Sequence, residues 1–191
     1  LSMVQGPRLS QMRTGAVSAI GTRFMAREDS KTVGMIGAGY QARGQLEGIC
    51  SVRDVSQVKV FDISEDFSAK FAQEMQEELD IPISSVNTAE DAVKDVDIVI
   101  TMTTTRKPVL LGDWLQPGQH INAAGSNHWI RQEVDDNVIK RADKIVVDSI
   151  EDAKIEAGDL LFPIERGRVM WSGIRDLSDL VAGHILGRES D

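Results

Sequence analysis

The stretch that most constrains this chain is residues 31–42, KTVGMIGAGYQA. Thr32, Val33, Met35 and Ile36 form a short apolar run that stops at Gly37-Ala38-Gly39, and Tyr40-Gln41-Ala42 opens a helical pattern. A buried strand, a glycine turn and a helix start in immediate succession are the opening of a βα unit. With little side chain at Gly37 and Gly39, the backbone can come close to a pyrophosphate. The free N–H groups and dipole of the helix that starts near Tyr40 favour its negative charge. Ala42 fills the third position of the G-x-G-x-x-G/A pattern, where a small residue lets helix pack on strand. Glycine turns of this kind also occur where no dinucleotide binds, so the surroundings decide. A second apolar run, Val58-Lys59-Val60-Phe61, ends at Asp62, 25 residues beyond Gly37. An acid at about that distance accepts the ribose hydroxyls of NAD. The same carboxylate would repel a 2′-phosphate, and Ile63 and Ser64 offer no cation to receive one, so NAD is expected ahead of NADP.

The rest of the chain repeats the alternation. A lead-in helix is expected from residue 9 to 25, begun by Ser10 or Gly6-Pro7, with Leu9, Met12, Ala16, Ala19, Ile20 and Phe24 at helical spacing. After Asp62, Ser64 can cap a long helix with Phe67, Phe71, Met75 and Leu79 on its inner face, which Asp80-Ile81-Pro82 stops. Further strands are expected at residues 84–86, 96–102, 120–124 and 144–148. Helices are expected after Thr88, over 131–141, over 151–160 and over 176–185, with a turn at 162–167. Apolar strands alternating with helices predict an α/β fold, a Rossmann-like, doubly wound, mostly parallel sheet with helices on both faces. One nucleotide-binding domain would fill residues 1–191, with a lead-in at 1–30, a core at 31–149 and a helical segment at 150–191. Ligands of such sheets lie at the carboxyl ends of the strands. That brings Gly37, Ala38, Gly39, Tyr40 and Gln41, then Asp62, then Thr103, Thr104 and Thr105, then Ala124, Gly125, Ser126 and Asn127 to one edge.

Composition narrows the partners. The 21 Lys and Arg against 30 Asp and Glu give a net charge of −9 with no basic block, which disfavours nucleic acid and anionic membranes. The single cysteine, Cys50, excludes an internal disulfide or a cysteine zinc cluster and suits a cytoplasmic setting; its neighbours Leu46 and Ile49 mark it as a core thiol. No metal site is expected. No apolar run approaches the ~20 residues of a membrane span. A sequence beginning at Leu1 is expected to be a piece of a longer chain.

Four motifs in order, Arg13-Thr14-Gly15-Ala16, Gly37-Ala38-Gly39-Tyr40-Gln41-Ala42, Ile121-Asn122-Ala123-Ala124-Gly125-Ser126 and Glu156-Ala157-Gly158-Asp159-Leu160, resemble the ornithine cyclodeaminase/mu-crystallin family over nearly the whole chain. That family uses NAD(P)(H) on small amino acids and their imines. The resemblance implies that this chain is the nucleotide-binding domain, and that a second domain carrying much of the substrate pocket and the homodimer contact lies outside it. It implies that Arg13 holds the substrate carboxylate and that Thr14 neighbours the cofactor. It also implies that Tyr40 and Gln41 meet the pyrophosphate, that Asp62 binds ribose, and that Thr103 and Arg131 contact the cofactor. A guanidinium suits a carboxylate, which it can hold with two bonds; the plain alternative for Arg13 is a solvated helix position. Asn127 stands where ornithine cyclodeaminases have an aspartate that moves a proton, and an amide cannot be a general base. His128 has the pKa class for proton shuttling but sits beside Trp129, where packing is an equal reading; His120 and His184 read as structural. Three activities stay open: an alanine dehydrogenase or ketimine reductase type of oxidoreductase, a cyclodeaminase that returns its hydride, and a cofactor-binding protein without turnover. The chain alone is expected to bind dinucleotide and not to catalyse.

Overall fold

The structure, a computed structural model, describes residues 6–189; the first five residues of the expected lead-in lie outside it. Helix α1 (Gly6–Met25) precedes β1 (Thr32–Ile36), α2 (Tyr40–Cys50), β2 (Gln57–Phe61), α3 (Glu65–Leu79), β3 (Ile83–Ser85), α4 (Ala89–Val93), β4 (Ile98–Thr101) and β5 (His120–Ala123). Then come α5 (Asp136–Arg141), β6 (Ile145–Val147), α6 (Ile150–Glu156), α7 (Gly158–Glu165), β7 (Ile174–Asp176) and α8 (Leu177–Val181). The first five strands form one sheet in the order β3-β2-β1-β4-β5, with every pair parallel. Strand order reverses between β1 and β4, and a crevice opens there at the carboxyl ends.

Side-chain alternation along the strands explains the helices on both faces. Val33, Met35, Ile98 and Ile100 turn to one side and pack with Leu46, Ile49, Phe71 and Met75 of α2 and α3. Ile36 and Val99 turn to the other and pack with Val93, Leu110 and Val138. Gly34 lies on that second side because a Cβ there would come within 2.0 Å of the Ala92 carbonyl, so α4 rests on bare backbone.

Several expectations are corrected. The long spacing of apolar residues in α1 does not mark its buried face. Leu9 and Met12 are each 54% exposed, and the buried positions are Gln11, Gly15, Ser18, Ala19 and Thr22. Close approach replaces apolar bulk: a Cβ on Gly15 would fall 1.9 Å from the Gly44 carbonyl, and one on Gly48 2.5 Å from the Gly15 carbonyl. In α3, Ser64 caps as expected, accepting from the Phe67 N–H, but Phe67 is exposed. The inner face is Ser68, Phe71, Ala72 and Met75, and Ser68 turns inward to meet the Ser85 hydroxyl at 2.7 Å. The helix expected over 131–141 begins only at α5. Residues before it are extended because the Glu133 carbonyl accepts from the N–H groups of Val109 and Leu110 at 2.8 and 3.0 Å. The expected turn at 162–167 is largely helix, α7 running through Pro163 to Glu165. The strand expected at 144–148 forms as β6 but pairs with β7, which the sequence pattern did not reveal, and not with the main sheet.

Candidate functional site

The glycine turn is built as the sequence demands. Gly37 has φ +104, a conformation side chains resist, and a Cβ there would meet the Met102 carbonyl at 2.4 Å. Its N–H donates to the Phe61 carbonyl at 2.8 Å, tying the turn to β2. Gly39 is glycine for another reason. Its φ of −72 suits any residue and a Cβ would meet nothing within 4 Å, so that Cβ would occupy only the open space in front of α2. Helix α2 has no side-chain cap and no acid in its first turn. The N–H groups of Tyr40 and Gln41, for which a helix start has no internal acceptors, therefore face an uncontested anion position. A dinucleotide pyrophosphate fits this cradle.

Asp62 sits at the end of β2 and braces the turn. Its Oδ2 accepts from the Ala38 N–H at 2.8 Å and its Oδ1 from the Ser64 N–H at 3.0 Å. Each oxygen keeps a further lone pair for a ribose hydroxyl. Asp62 and the glycine turn thus form one hydrogen-bonded unit at the carboxyl ends of β1 and β2.

On the other side a cleft of ≈ 980 Å³ is lined by Arg13, Thr14, Gln41, Ala124, Ser126 and Asn127 among others. These six expected residues border the same cleft. On α1, Ser10, Arg13, Thr14, Val17, Ser18, Gly21 and Met25 all line the cleft, a stripe at helical spacing that borders the buried face and shares Ser18 with it. Thr14 turns its hydroxyl to the Ser10 carbonyl at 2.9 Å, and Gln41 reaches Ser10 at 3.5 Å, joining α1 to the first turn of α2. The Gln41 Oε1 is buried without a partner.

His128 and Arg131 do not line this cleft. The exposed His128 ring stacks on Trp129, with centroids 5.9 Å apart, and its Nδ1 accepts from the Ile130 N–H. Arg131 donates to the Asn127 Oδ1 at 2.5 Å, so the amide at the position of the cyclodeaminase acid is held as an acceptor. Thr104 is exposed beyond the end of β4. His120 lines the cleft, but burial pushes its imidazole down to about 4, keeping it neutral. Burial also pushes the Cys50 thiol up to about 11, in keeping with a core position. Among the described residues no cluster of three or more His, Cys, Asp or Glu could hold a metal, and no helix is long and apolar enough to cross a membrane.

Two buried carboxylates carry no role that the sequence pattern reveals. Glu133, 0% exposed, accepts from the Thr101 hydroxyl, the Thr103 N–H and hydroxyl, and the Gly125 N–H. Burial pushes its carboxyl above the ordinary value, against the pull of those bonds. Asp159 accepts from the N–H groups of Glu133 and Val134 at 2.7 and 3.0 Å; burial, with the Glu133 charge adding, raises it to about 6. Glu133 fell inside an expected helix, where a charged residue reads as solvated. Asp159 stood in a quoted motif, but spacing could not say what it touched.

Comparison with known proteins agrees with the fold. A Delta(1)-pyrroline-2-carboxylate reductase of Bacillus cereus is 38% identical over 192 residues, covering 100% of this chain and 59% of that protein. The structure of the Thermococcus litoralis Delta(1)-pyrroline-2-carboxylate reductase in complex with NADH and L-proline matches with TM-score 0.96 and 40% identity, over 100% of this chain and 59% of that one. An archaeal alanine dehydrogenase dimer with bound NAD matches with TM-score 0.89 and 36% identity, over 96% and 56%. The chain therefore spans about 59% of the length of the first of these relatives. The model of the ornithine cyclodeaminase/mu-crystallin family matches residues 1–191, and the chain belongs to that family.

Proposed function

We propose that this chain is the dinucleotide-binding part of an NAD(H)-dependent oxidoreductase that acts on a small amino acid or its imine. The observation that carries the reading is a single cleft lined by Arg13 and Thr14 of α1, Gln41 of the cradle, and Ser126 and Asn127 after β5. NAD, when bound, supplies a hydride acceptor and donor at its nicotinamide. The chain's own residues do the rest. The cradle and the N–H groups of Tyr40 and Gln41 hold the pyrophosphate, Asp62 accepts from the ribose hydroxyls, and Thr103, Thr104, Ala124 and Gly125 border the inner end. Arg13 orients the substrate carboxylate by a charge-assisted pair. Asn127 serves as a polar contact, since its Oδ1 is engaged by Arg131 and an amide takes no proton. That favours dehydrogenation or imine reduction over cyclodeamination.

The related structures with NADH and L-proline and with NAD in a dimer support a small cyclic imine or amino acid as substrate and a homodimer as the assembly. The single cysteine supports a cytoplasmic setting. Contacts with substrate from beyond this chain are needed for turnover, because Arg13 is one carboxylate ligand on an open wall and catalysis needs a closed, oriented complex. The test is a full-length protein containing this chain, given small amino acids with NAD and cyclic imines with NADH, while the absorbance of reduced cofactor is followed. Net NADH production or consumption is expected. Ammonia release with no net change would instead establish the lyase. Tight NADH binding with no turnover of any of these compounds would leave a binding protein.

A further inference from the structure

Strands β4 and β5 pair as far as Thr101 and Ala123, and the last rung is the Ala124 N–H donating to the Thr101 carbonyl at 3.0 Å. Beyond that rung a side chain takes over from the ladder. The Oε1 of Glu133 accepts from the Thr103 N–H at 2.5 Å and the Thr103 hydroxyl at 2.7 Å. Its Oε2 accepts from the Thr101 hydroxyl at 2.9 Å and the Gly125 N–H at 2.7 Å. One buried carboxylate thus bridges the two loops that leave the sheet at the inner end of the site. Gly125 gives it room, since a Cβ there would stand 2.6 Å from Oε1 and 2.4 Å from the Thr103 carbonyl. Glu133 is itself fixed, its own N–H and that of Val134 being held by Asp159. Gly158 brings Asp159 in, for a Cβ on Gly158 would fall 1.9 Å from the Arg131 carbonyl.

We propose that Glu133 is a positioning residue for the nicotinamide end of the dinucleotide, setting through the Thr103 and Gly125 loops the gap that receives the ring. The inference rests on the dinucleotide reading above. The donor set explains why a carboxylate is required. The two backbone N–H groups can only donate, and one faces each oxygen. In glutamine, whichever oxygen becomes the amide nitrogen then opposes an N–H, so one loop is released in either orientation. The pyrophosphate cradle lies on β1 and α2 and shares none of these bonds.

The experiment compares two ligands by calorimetry on this chain: NADH, and ADP-ribose, which carries every group of the dinucleotide except nicotinamide. In Glu133→Gln, NADH affinity is expected to fall about tenfold while ADP-ribose affinity is held, on the order of one lost buried hydrogen bond. Thr101→Val, which removes a single donor, is expected to change the ratio in the same direction by less, and it decides the matter if Glu133→Gln does not fold. Equal weakening of both ligands would make Glu133 a purely structural residue and overturn the proposal, as would an unchanged ratio in both variants. If the unaltered chain binds neither ligand, the dinucleotide reading falls, and this inference with it.

Discussion

Replacing Asp159 by asparagine isolates a carboxylate whose burial opposes the fold at neutral pH. In the folded chain this group is raised from 3.8 to about 6, mainly by burial and secondarily, among the raising causes, by the charge of Glu133. A folded value above the unfolded one means that the associated stability is fully present below about 3.8 and is lost as pH rises through about 6. The complete loss corresponds to about 3 kcal/mol, at about 1.4 kcal/mol for each tenfold. Asparagine keeps an oxygen for the N–H groups of Glu133 and Val134 and carries no charge. Its NH₂ takes the place of Oδ2, which has no partner. That mismatch costs the same at every pH and cancels in a difference. The stability of Asp159→Asn minus that of the unaltered chain should therefore grow with pH, by ~1.4 kcal/mol between about pH 5 and about pH 8. Urea denaturation at a series of pH values measures it. Parallel curves, or a variant that loses ground as pH rises, would show that Asp159 is not held protonated by its surroundings.

Three further outcomes are expected. NADH should bind this chain more tightly than NADPH by about tenfold or more, because a like charge against Asp62 costs up to several kcal/mol; equal affinities by calorimetry would end that role for Asp62. Arg13→Ala in a full-length protein containing this chain should lower kcat/KM for the amino acid or imine by about a hundredfold, as loss of a charge-assisted pair does, and leave the NADH Kd within about twofold. Unchanged catalytic efficiency would return Arg13 to a solvated helix face. Gly15→Ala should destabilise the chain by about 3 kcal/mol, since its Cβ would fall 1.9 Å from the Gly44 carbonyl; a shift in the urea midpoint of less than about a fifth of the total would contradict the close α1–α2 crossing.

Much of the fold was legible because the central strands β1 and β4 are buried and read as apolar runs, and because Gly37 and Asp80 punctuate where positive φ is needed. The geometry of the proposed adenosine-side half was legible for the same reason, since glycine turn, helix start and strand-end acid are local features at fixed offsets. Three kinds of feature were not. Helix α1 buries small and polar residues, so apolar periodicity pointed to the wrong face. The pairing of β6 with β7 depends on contacts 29 residues apart, as between Ile145 and Ile174, which no local pattern reports. Glu133 joins Thr101, Thr103 and Gly125 across separations of 32, 30 and 8 residues, and a buried charge is invisible where only its neighbours in sequence are seen.

Helix α1 shows how one such hidden feature bears on the site. Its glycine face brings the axis against the start of α2, and Gln11 donates to the Tyr40 carbonyl, fixing the rotation of α1 about that axis. A helix turned in this way has only one face left toward the cleft, and that face begins with Ser10, Arg13 and Thr14. Arg13 therefore lines the same cleft as Gln41 because Gly15 and Gly44, having no side chains, let α1 come close to α2. Bulkier residues at those two positions would push α1 outward and move Arg13 with it relative to α2. The small residues of Arg13-Thr14-Gly15-Ala16 and the polar ones are thereby linked: Gly15 sets how near the helix comes, and the proposed role of Arg13 depends on that nearness.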